Sequence, residues 1–210
     1  MAADSELLLA WLTGRSLARG LPEPAAEFGG FRIDTKGEKE ICRWVFASVT
    51  DGLRELGRSI REPRYFVKLC GTAGELADAL PREWLTTDSR WFMASDDTPH
   101  AFGAVSSGYR LEQYRDGAVT RVEIRTSEGE LAASGYAAQT ADALVYDRIE
   151  TAPQHRRKGL ARAVMAALGG CRQSPSARQL LVATAEGEKL YSSLGWRKLS
   201  PYWTAYLPEN

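Results

Sequence analysis

Four short segments rich in β-forming residues follow one another between residues 109 and 151, and short turns separate them. The turns carry Asp116-Gly117, Glu128-Gly129 and Thr140-Ala141-Asp142. A turn of the Asp-Gly type between two such segments is a strong signal for a β-hairpin. The segments are residues 109–114, 119–126, 131–139 and 143–151. We therefore predict an antiparallel meander, which restricts the chain to folds built on such a sheet.

A basic loop and a helix follow the fourth segment. The loop holds Arg156, Arg157 and Lys158 before Gly159, and an apolar helix is predicted over residues 162–168. The later pattern predicts a buried strand, a helix that ends before a glycine, and two final strands with Pro201 between them. These elements are residues 180–184, 186–194, 196–199 and 203–207. The predicted order after the meander is helix, strand, helix, strand, strand.

The start of the first of these helices has the chemistry of an anion site. Free backbone N–H groups at a helix start point towards a ligand, and the helix dipole adds positive potential. Gly159 permits close approach of the backbone, and the basic side chains beside it would form charge-assisted hydrogen bonds to a phosphate. The alternative is an ordinary turn with a solvated basic run. The loop has neither the P-loop pattern nor the three glycines of a Rossmann fingerprint.

Two patterns in this part of the chain resemble those of the GNAT superfamily of coenzyme A-dependent N-acyltransferases. Arg156-x-x-Gly159-x-Ala161 is similar to the family's Arg/Gln-x-x-Gly-x-Gly/Ala loop, and the Leu-Tyr-x-x-Leu-Gly-Trp of residues 190–196 is similar to the end of its last helix. The resemblance covers residues 109–207. It implies an α/β (α+β) fold, with a GNAT-like, mixed, mostly antiparallel sheet flanked by helices. It also implies transfer of an acetyl group from acetyl-CoA, as co-substrate and without a metal, to a primary amine of a small-molecule or amino-acid-like acceptor by direct attack.

The resemblance assigns roles to individual residues. The loop amides and basic side chains would hold the coenzyme A pyrophosphate, and the end of the fourth strand would pair with the pantetheine arm. A bulge in that strand would aim a backbone N–H at the thioester oxygen. Tyr191 would protonate the leaving thiolate, the alternative being an aromatic side chain packed in the core. The cofactor-binding residues implied are Ile149, Glu150, Thr151, Arg156, Arg157, Lys158, Gly159, Leu160, Ala161 and Arg162.

Two carboxylates of the fourth strand are candidates for the general base. Attack requires a neutral amine, so a carboxylate must take a proton, directly or through water. Asp147 is the first candidate, because several family members carry an acidic residue there, and Glu150 is the reserve. Each could instead be ordinary surface charge. The two residues are three positions apart, so a regular strand would direct them to opposite sides of the sheet. His155 is expected to be a solvated loop residue.

The N-terminal part of the chain departs from the family pattern. Only residues 115–118 separate the first two strands, where a usual domain of the family has two helices that help to form the acceptor pocket. A helix-like stretch at residues 6–12 precedes a β-β-α-β-α-β pattern at residues 31–95. We predict an N-terminal α/β region at 1–95, a linker at 96–108 and a GNAT domain at 109–210. The N-terminal region is either a degenerate GNAT-like half or an unrelated extension, and we expect it to supply the missing wall of the acceptor site.

The charge balance and the cysteine content limit the kinds of ligand and binding partner that we expect. The 210 residues carry 27 Lys and Arg against 27 Asp and Glu, and this zero balance gives no general reason to expect a nucleic acid or a membrane. No apolar run is long enough to span a bilayer, and the start lacks the features of a signal peptide, so we expect a cytoplasmic protein. Cys42, Cys70 and Cys171 are too far apart for a zinc site or a disulfide framework. A homodimer stays open as an assembly.

Two other functions remain open at this point. One is a coenzyme A-binding regulatory or scaffold protein without turnover. The other is a toxin that acetylates aminoacyl-tRNA, against which the neutral charge of the chain argues. The intact loop together with Tyr191 favours an enzyme.

Overall fold

The chain folds around a single sheet. A computed structural model describes residues 3–96 and 105–209, and these residues form eleven strands and five α-helices. The first part consists of α1 (Ser5–Ala18), β1 (Ala25–Glu27), β2 (Gly30–Asp34), β3 (Cys42–Phe46), α2 (Asp51–Ser59), β4 (Tyr65–Leu69), α3 (Ala73–Ala79) and β5 (Leu85–Ser95). The second part consists of β6 (Tyr109–Asp116), β7 (Val119–Thr126), β8 (Leu131–Gln139), β9 (Ala143–Thr151), α4 (Leu160–Gly169), β10 (Arg178–Thr184), α5 (Ala185–Ser193) and β11 (Arg197–Tyr206).

The local signals in the sequence form the expected elements. β6, β7, β8 and β9 are an antiparallel meander joined by the tight turns, two of which place Gly117 and Gly129 at positive φ. Thr72 begins α3 with a capping box, in which its hydroxyl and the Glu75 carboxylate satisfy each other's backbone N–H groups. The predicted α/β (α+β) class, a mostly antiparallel sheet flanked by helices, is confirmed. Most of the predicted linker, residues 97–104, lies outside the described residues.

The strand order interleaves the two parts of the chain. The order is β1-β2-β3-β4-β11-β5-β10-β9-β8-β7-β6, and among these pairs only β3–β4 and β9–β10 are parallel. The run β3-α2-β4-α3-β5 has the same element order as β9-α4-β10-α5-β11. The last strand of each run pairs with the middle strand of the other run: β11 pairs with β4, and β5 pairs with β10. The division of the chain at 1–95 and 109–210 and the origin of the first region stay predictions.

The helices cover the two faces of the sheet unequally. Residues that are neighbours along a strand point to opposite faces. Leu144 and Leu181 belong to the core under α4 and α5, whereas Val145 and Leu180 belong to the core under α1. α2 and α3 extend the first face over β3 and β4. One face therefore carries four helices, and the other carries α1 as its only helix within residues 3–96 and 105–209.

The C-terminal strand differs from the expectation. The two separate strands at 196–199 and 203–207 are wrong, because β11 is continuous and pairs with β5 through Pro201, which lies opposite Trp91. Register shifts between Lys198 and Ser200 and between Tyr202 and Thr204 flank the proline. Bulges accommodate a residue that lacks an N–H, so proline did not end the strand here.

None of the helices in the described ranges is long and apolar enough to cross a membrane. 

Candidate functional site

Two neighbouring strands separate to form a wedge in the sheet. β9 and β10 pair only at their beginnings, where Ala143 to Val145 lie opposite Arg178 to Leu180. Beyond this point β9 stays with β8 as far as Thr151, and β10 stays with β5 as far as Thr184. The backbone edges that face each other across the wedge are therefore available to an extended ligand.

A bulge in β9 lies at the mouth of the wedge. Arg148 has a φ of 52°, and the register with β8 shifts so that Asp147 lies opposite Tyr136 while Glu150 lies opposite Ser134. An extra residue of this kind leaves backbone groups out of the ladder and changes the direction of the side chains. Because Ser134 and Tyr136 are two positions apart, Asp147 and Glu150 share one face. The expectation that they point to opposite sides is therefore wrong, and the bulge is the reason.

The loop after β9 ends in an uncapped helix start. A single 3₁₀ turn, Pro153–His155, leads to Arg157 at a φ of 63° and Gly159 at a φ of 77°, and Gly159 is the N-cap of α4. No side chain caps this helix. The N–H of Ala163 donates to the carbonyl of Gly159 at 3.1 Å and is the first amide of the helix with an acceptor inside it. The amides of the three residues before Ala163 have no acceptor within the helix. These amides are those of Leu160, Ala161 and Arg162, and a helix start of this kind can bind an anion.

Basic side chains surround this helix start. Arg156 lies 3.6 Å from the Glu186 carboxylate, the Lys158 ammonium donates to the Tyr109 hydroxyl at 2.9 Å, and Arg162 donates to the Ser193 hydroxyl at 3.4 Å. All three are exposed along part of their length, so an anion at the helix start can recruit them. Arg157 is exposed as well. The loop therefore combines free amides with exposed positive charge.

His155 is a structural residue. Its ring is buried, its Nδ1 lies 2.9 Å from the Tyr109 hydroxyl, and its Nε2 lies 3.4 Å from the Glu130 carboxylate. The expectation of a solvated loop residue is wrong, because the 3₁₀ turn tucks the ring against β6 and β8. The contact with Tyr109 ties the loop to the edge of the sheet.

One large cleft joins these features and passes through the sheet. It has a volume of about 1470 Å³. Its lining includes Leu160 and Tyr191 from the face that carries α4 and α5, and Trp11 and Tyr202 from the face that carries α1. The backbone of β9 from 146 to 151 and of β10 from 181 to 184 forms the walls between the two faces. A ligand held in the wedge is thus accessible from both faces.

Tyr191 lies in this cleft on α5. Its side chain is 7% exposed and contacts the Trp196 ring, with 6.1 Å between the ring centroids. Burial raises the pKa of Tyr191 to about 12. The phenol is therefore protonated at neutral pH and can donate a proton, although it also packs as a core aromatic residue.

The two candidate bases have different surroundings. The Asp147 carboxylate accepts hydrogen bonds from Arg19 at 2.6 Å and 3.0 Å, and it also lies 3.8 Å from Arg15 and 3.4 Å from Arg148. Glu150 is exposed in the cleft and forms no ion pair with any residue in the described ranges. Asp147 therefore joins α1 to β9, whereas the Glu150 carboxylate is open to the cleft.

Sequence reasoning expected the N-terminal region to supply a wall of the acceptor site, but it named none of the N-terminal residues that line the cleft. Arg15 lies in the last turn of α1 and Arg19 is its C-cap, while Arg43 and Lys68 lie on β3 and β4. The i,i+4 pair of arginines on an apolar helix was the only local signal. The distance of 128 residues between Arg19 and Asp147 hides the contact from any local pattern. No group of three or more His, Cys, Asp or Glu side chains with the arrangement of a metal site occurs in residues 3–96 and 105–209, while His100 lies outside them.

Comparisons with known proteins find relatives by structure alone. No protein-family model and no curated protein sequence matches the chain. A GCN5-related N-acetyltransferase from Kribbella flavida is similar with a TM-score of 0.64 at 12% identity, over 98% of this chain and 94% of that one. An acetyltransferase of the GNAT family from Novosphingobium aromaticivorans has a TM-score of 0.58 at 16% identity, over 96% of both chains. A GCN5-related N-acetyltransferase from Sphaerobacter thermophilus has a TM-score of 0.59 at 12% identity, over 87% and 78%. The fold is GNAT-like, and the likeness includes the N-terminal part.

Proposed function

We propose that this chain is an N-acetyltransferase that moves an acetyl group from acetyl-CoA to the primary amine of a small-molecule or amino-acid-like acceptor. The observation that supports the proposal is that three features follow one another along β9 and the loop after it. The bulge at Arg148, the wedge beside Glu150 and the uncapped helix start at Gly159 follow one another within a single cleft. A thioester, a pantetheine arm and a pyrophosphate have the same order along coenzyme A.

The residues present fit this co-substrate. The amides of Leu160, Ala161 and Arg162 donate to the pyrophosphate, and the Arg156, Arg157 and Lys158 side chains close over it. The backbone of Ile149, Glu150 and Thr151 pairs with the amides of the arm as an added strand would. Acetyl-CoA, when bound, supplies the activated acyl group.

The bulge activates the acyl group for attack. A backbone N–H that the bulge removes from the β8–β9 ladder donates to the thioester carbonyl oxygen, on which negative charge develops as the amine nitrogen forms its bond to carbon. The C–S bond then breaks, and the leaving thiolate takes the proton of the Tyr191 hydroxyl. A phenol with a raised pKa keeps that proton available up to alkaline pH.

Glu150 is the base that the contacts favour. It faces the cleft without an ion pair among the described residues, and it shares a face with Asp147 at the entrance from the α1 side. Its carboxylate takes a proton from the ammonium of the acceptor, directly or through a water molecule, so that the neutral amine can attack. Several members of the GNAT superfamily carry an acidic residue at the position of Asp147. In this chain Arg19 and two further arginines hold the Asp147 carboxylate. We propose Asp147 as a residue that positions α1 and keep it as the second candidate base.

The test combines binding with turnover. Isothermal titration with acetyl-CoA measures the affinity, and thiol release on a panel of primary amines measures the reaction. We expect Tyr191→Phe to lower kcat about 100-fold at unchanged acetyl-CoA affinity, because only the proton is lost. Tyr114→Phe, which changes an exposed tyrosine far from the cleft, is the matched control and should have no effect.

Two further variants separate the bases. Glu150→Gln should lower kcat at neutral pH, whereas Asp147→Asn should alter stability or acceptor KM more than kcat. Glu55→Gln, on the exposed face of α2, is the control. Binding of acetyl-CoA without thiol release on any amine would contradict the proposal and favour a regulatory or scaffold protein.

A further inference from the structure

The cleft contains a cluster of basic side chains on the α1 face that the proposed chemistry does not use. α1 covers β8, β9 and the middle strands only in part, and the uncovered strands present charged rather than apolar residues to the cleft. We name this cluster the basic basin. It consists of Arg15, Arg19, Arg43, Lys68 and Arg148.

The described carboxylates around the basic basin are too few to balance it. Three acidic residues line this part of the cleft, Asp147, Glu150 and Glu40, against five basic ones. Asp147 is shared by three arginines, and Glu40 contacts the Arg43 guanidinium. Positive charge therefore remains in excess on a partly buried surface, where water screens it poorly.

Lys68 is the residue of the basin that the excess of positive charge affects most. It lies half-buried on β4, its ammonium is 3.4 Å from the Thr204 hydroxyl, and it forms no ion pair with a carboxylate in the described ranges. The pKa of Lys68 is lowered to about 7, chiefly by burial and to a smaller extent by Arg43, Arg15 and Arg90, against the opposing effect of Glu40. Burial, together with Arg43 and Arg19, lowers the pKa of Arg15 to about 10. Like charges thus face each other across the basin, an arrangement that an anion would relieve.

We propose that the basic basin binds an acidic group of the acceptor, a carboxylate or a phosphate, so that the amines acetylated here are acidic amines. The inference rests on the proposed function and names its substrate class. Asp147 and Glu150 mark the entrance from the α1 face, and the basin lies on that same face. An acceptor anchored there by its acidic group directs its amine towards the bulge at Arg148.

The co-substrate does not account for the basin. Its pyrophosphate has a site at the helix start after Gly159, at the far end of β9 and under the opposite face. The basin lies on the α1 face and is formed by side chains from α1, β3, β4 and the bulge of β9. The two basic surfaces therefore serve two different anions.

The experiment compares matched acceptors on the full chain. Each amino acid is paired with its carboxamide, and phosphoethanolamine is paired with ethanolamine, so that the two arms distinguish a carboxylate from a phosphate. Thiol release gives kcat/KM for each, and acetyl-CoA affinity is measured by titration on the same sample. We expect the acidic member of at least one pair to be preferred about tenfold or more. Neutral members that react as well as or better than the acidic ones would overturn the inference and leave the proposed function standing.

Variants assign the preference to the basin. Lys68→Met and Lys68→Gln should both reduce the preference for the acidic member about tenfold while acetyl-CoA affinity stays unchanged. Lys189→Met, an exposed lysine of α5, is the control that should keep the preference. A preference that survives both Lys68 variants would also overturn the inference.

A second readout does not need turnover. Acetate, inorganic phosphate and the acidic amines should raise Tm of the chain saturated with coenzyme A, and Lys68→Met should abolish the rise. If no amine reacts, this rise supports the basin and its absence overturns it. If acetyl-CoA itself fails to bind, the proposed function is overturned, and the same measurement without coenzyme A decides whether the basin binds anions.

Discussion

At the scale of single residues, two carboxylates on one strand have different surroundings. Asp147 and Glu150 are both carboxylates of β9 and share a face, yet three arginines surround one and solvent surrounds the other. The sequence predicts that β9 carries an acidic residue in reach of the thioester. It cannot rank the two, because the ranking depends on α1, whose contact spans 128 residues.

Lys68 offers a test of residue energetics that is independent of catalysis. Its pKa is lowered from 10.5 to about 7 in the folded chain, so between these two values the unfolded chain binds a proton that the folded chain lacks. The free energy of unfolding therefore rises with pH across this window, and the full penalty of the buried charge applies below pH 7. Lys68→Met removes the penalty, and we expect it to stabilise the chain by about 1–2 kcal/mol below pH 7, with a gain that shrinks as the pH approaches 10.5.

Urea denaturation from pH 6 to pH 10 measures this difference. Lys189→Met is the matched control, because the exposed side chain should give the same small difference at every pH. A Lys68→Met chain that is less stable than the parent at pH 6 would contradict the account of Lys68 as a destabilising charge.

At the scale of elements, local patterns were sufficient where the pairing is local. The meander from β6 to β9 follows from its turn residues, and α3 follows from the Thr72 capping box. The family resemblance predicts a bulge in β9, but its position at Arg148 could not be predicted, because an arginine at positive φ has no residue-type signal. Pro201 was misleading because register shifts in its own strand, β11, accommodate it. The basic loop and the helix after it are present as the sequence predicts, whereas no sequence pattern indicated the cluster of basic residues on the α1 face.

The packing of α1 on the sheet depends on one glycine. A Cβ at Gly14 would lie 2.5 Å from Cγ2 and 2.7 Å from Cβ of Val145 on β9, so the helix approaches the strand too closely for any side chain. We expect Gly14→Ala to lower the free energy of unfolding by about 1–3 kcal/mol through overpacking, although alanine favours the helix. It should also raise acceptor KM more than it changes acetyl-CoA affinity, because α1 carries Arg15 and Arg19.

Gly74→Ala supplies the control for this substitution. Gly74 also lies in a helix, α3, and a Cβ there meets nothing within 4 Å. The gain in helix propensity should leave the chain unchanged or more stable by up to about 1 kcal/mol. Denaturant titration of both variants decides the matter, and equal effects at the two positions would contradict a close contact of α1 with β9.

At the scale of the whole molecule, the exchange of β5 and β11 makes each half depend on the other. β11 lies between β4 and β5, so removing the C-terminal part leaves those two strands without their common partner. We expect residues 1–108 and residues 109–210, produced separately, to lack cooperative unfolding transitions, and the full chain to unfold in one transition seen alike by tryptophan fluorescence and circular dichroism. Coexpression of the two fragments should restore the sheet.

The opposite result has a definite meaning. A fragment of residues 109–210 that unfolds cooperatively and binds acetyl-CoA would show that this part is an independent domain, as its sequence patterns alone suggest. Neither outcome could be foreseen from element order, because the order of strands along the chain is the same with and without the exchange.

The cleft that passes through the sheet has a consequence for the order of events in a reaction cycle. Entrances on opposite faces let two molecules arrive and leave independently, since neither lies in the other's path. Initial velocities measured against both substrates should then give intersecting rather than parallel lines, and desulfo-coenzyme A should compete with one substrate while leaving the affinity for the other intact. Two separate entrances therefore favour random binding of the two substrates over an ordered sequence.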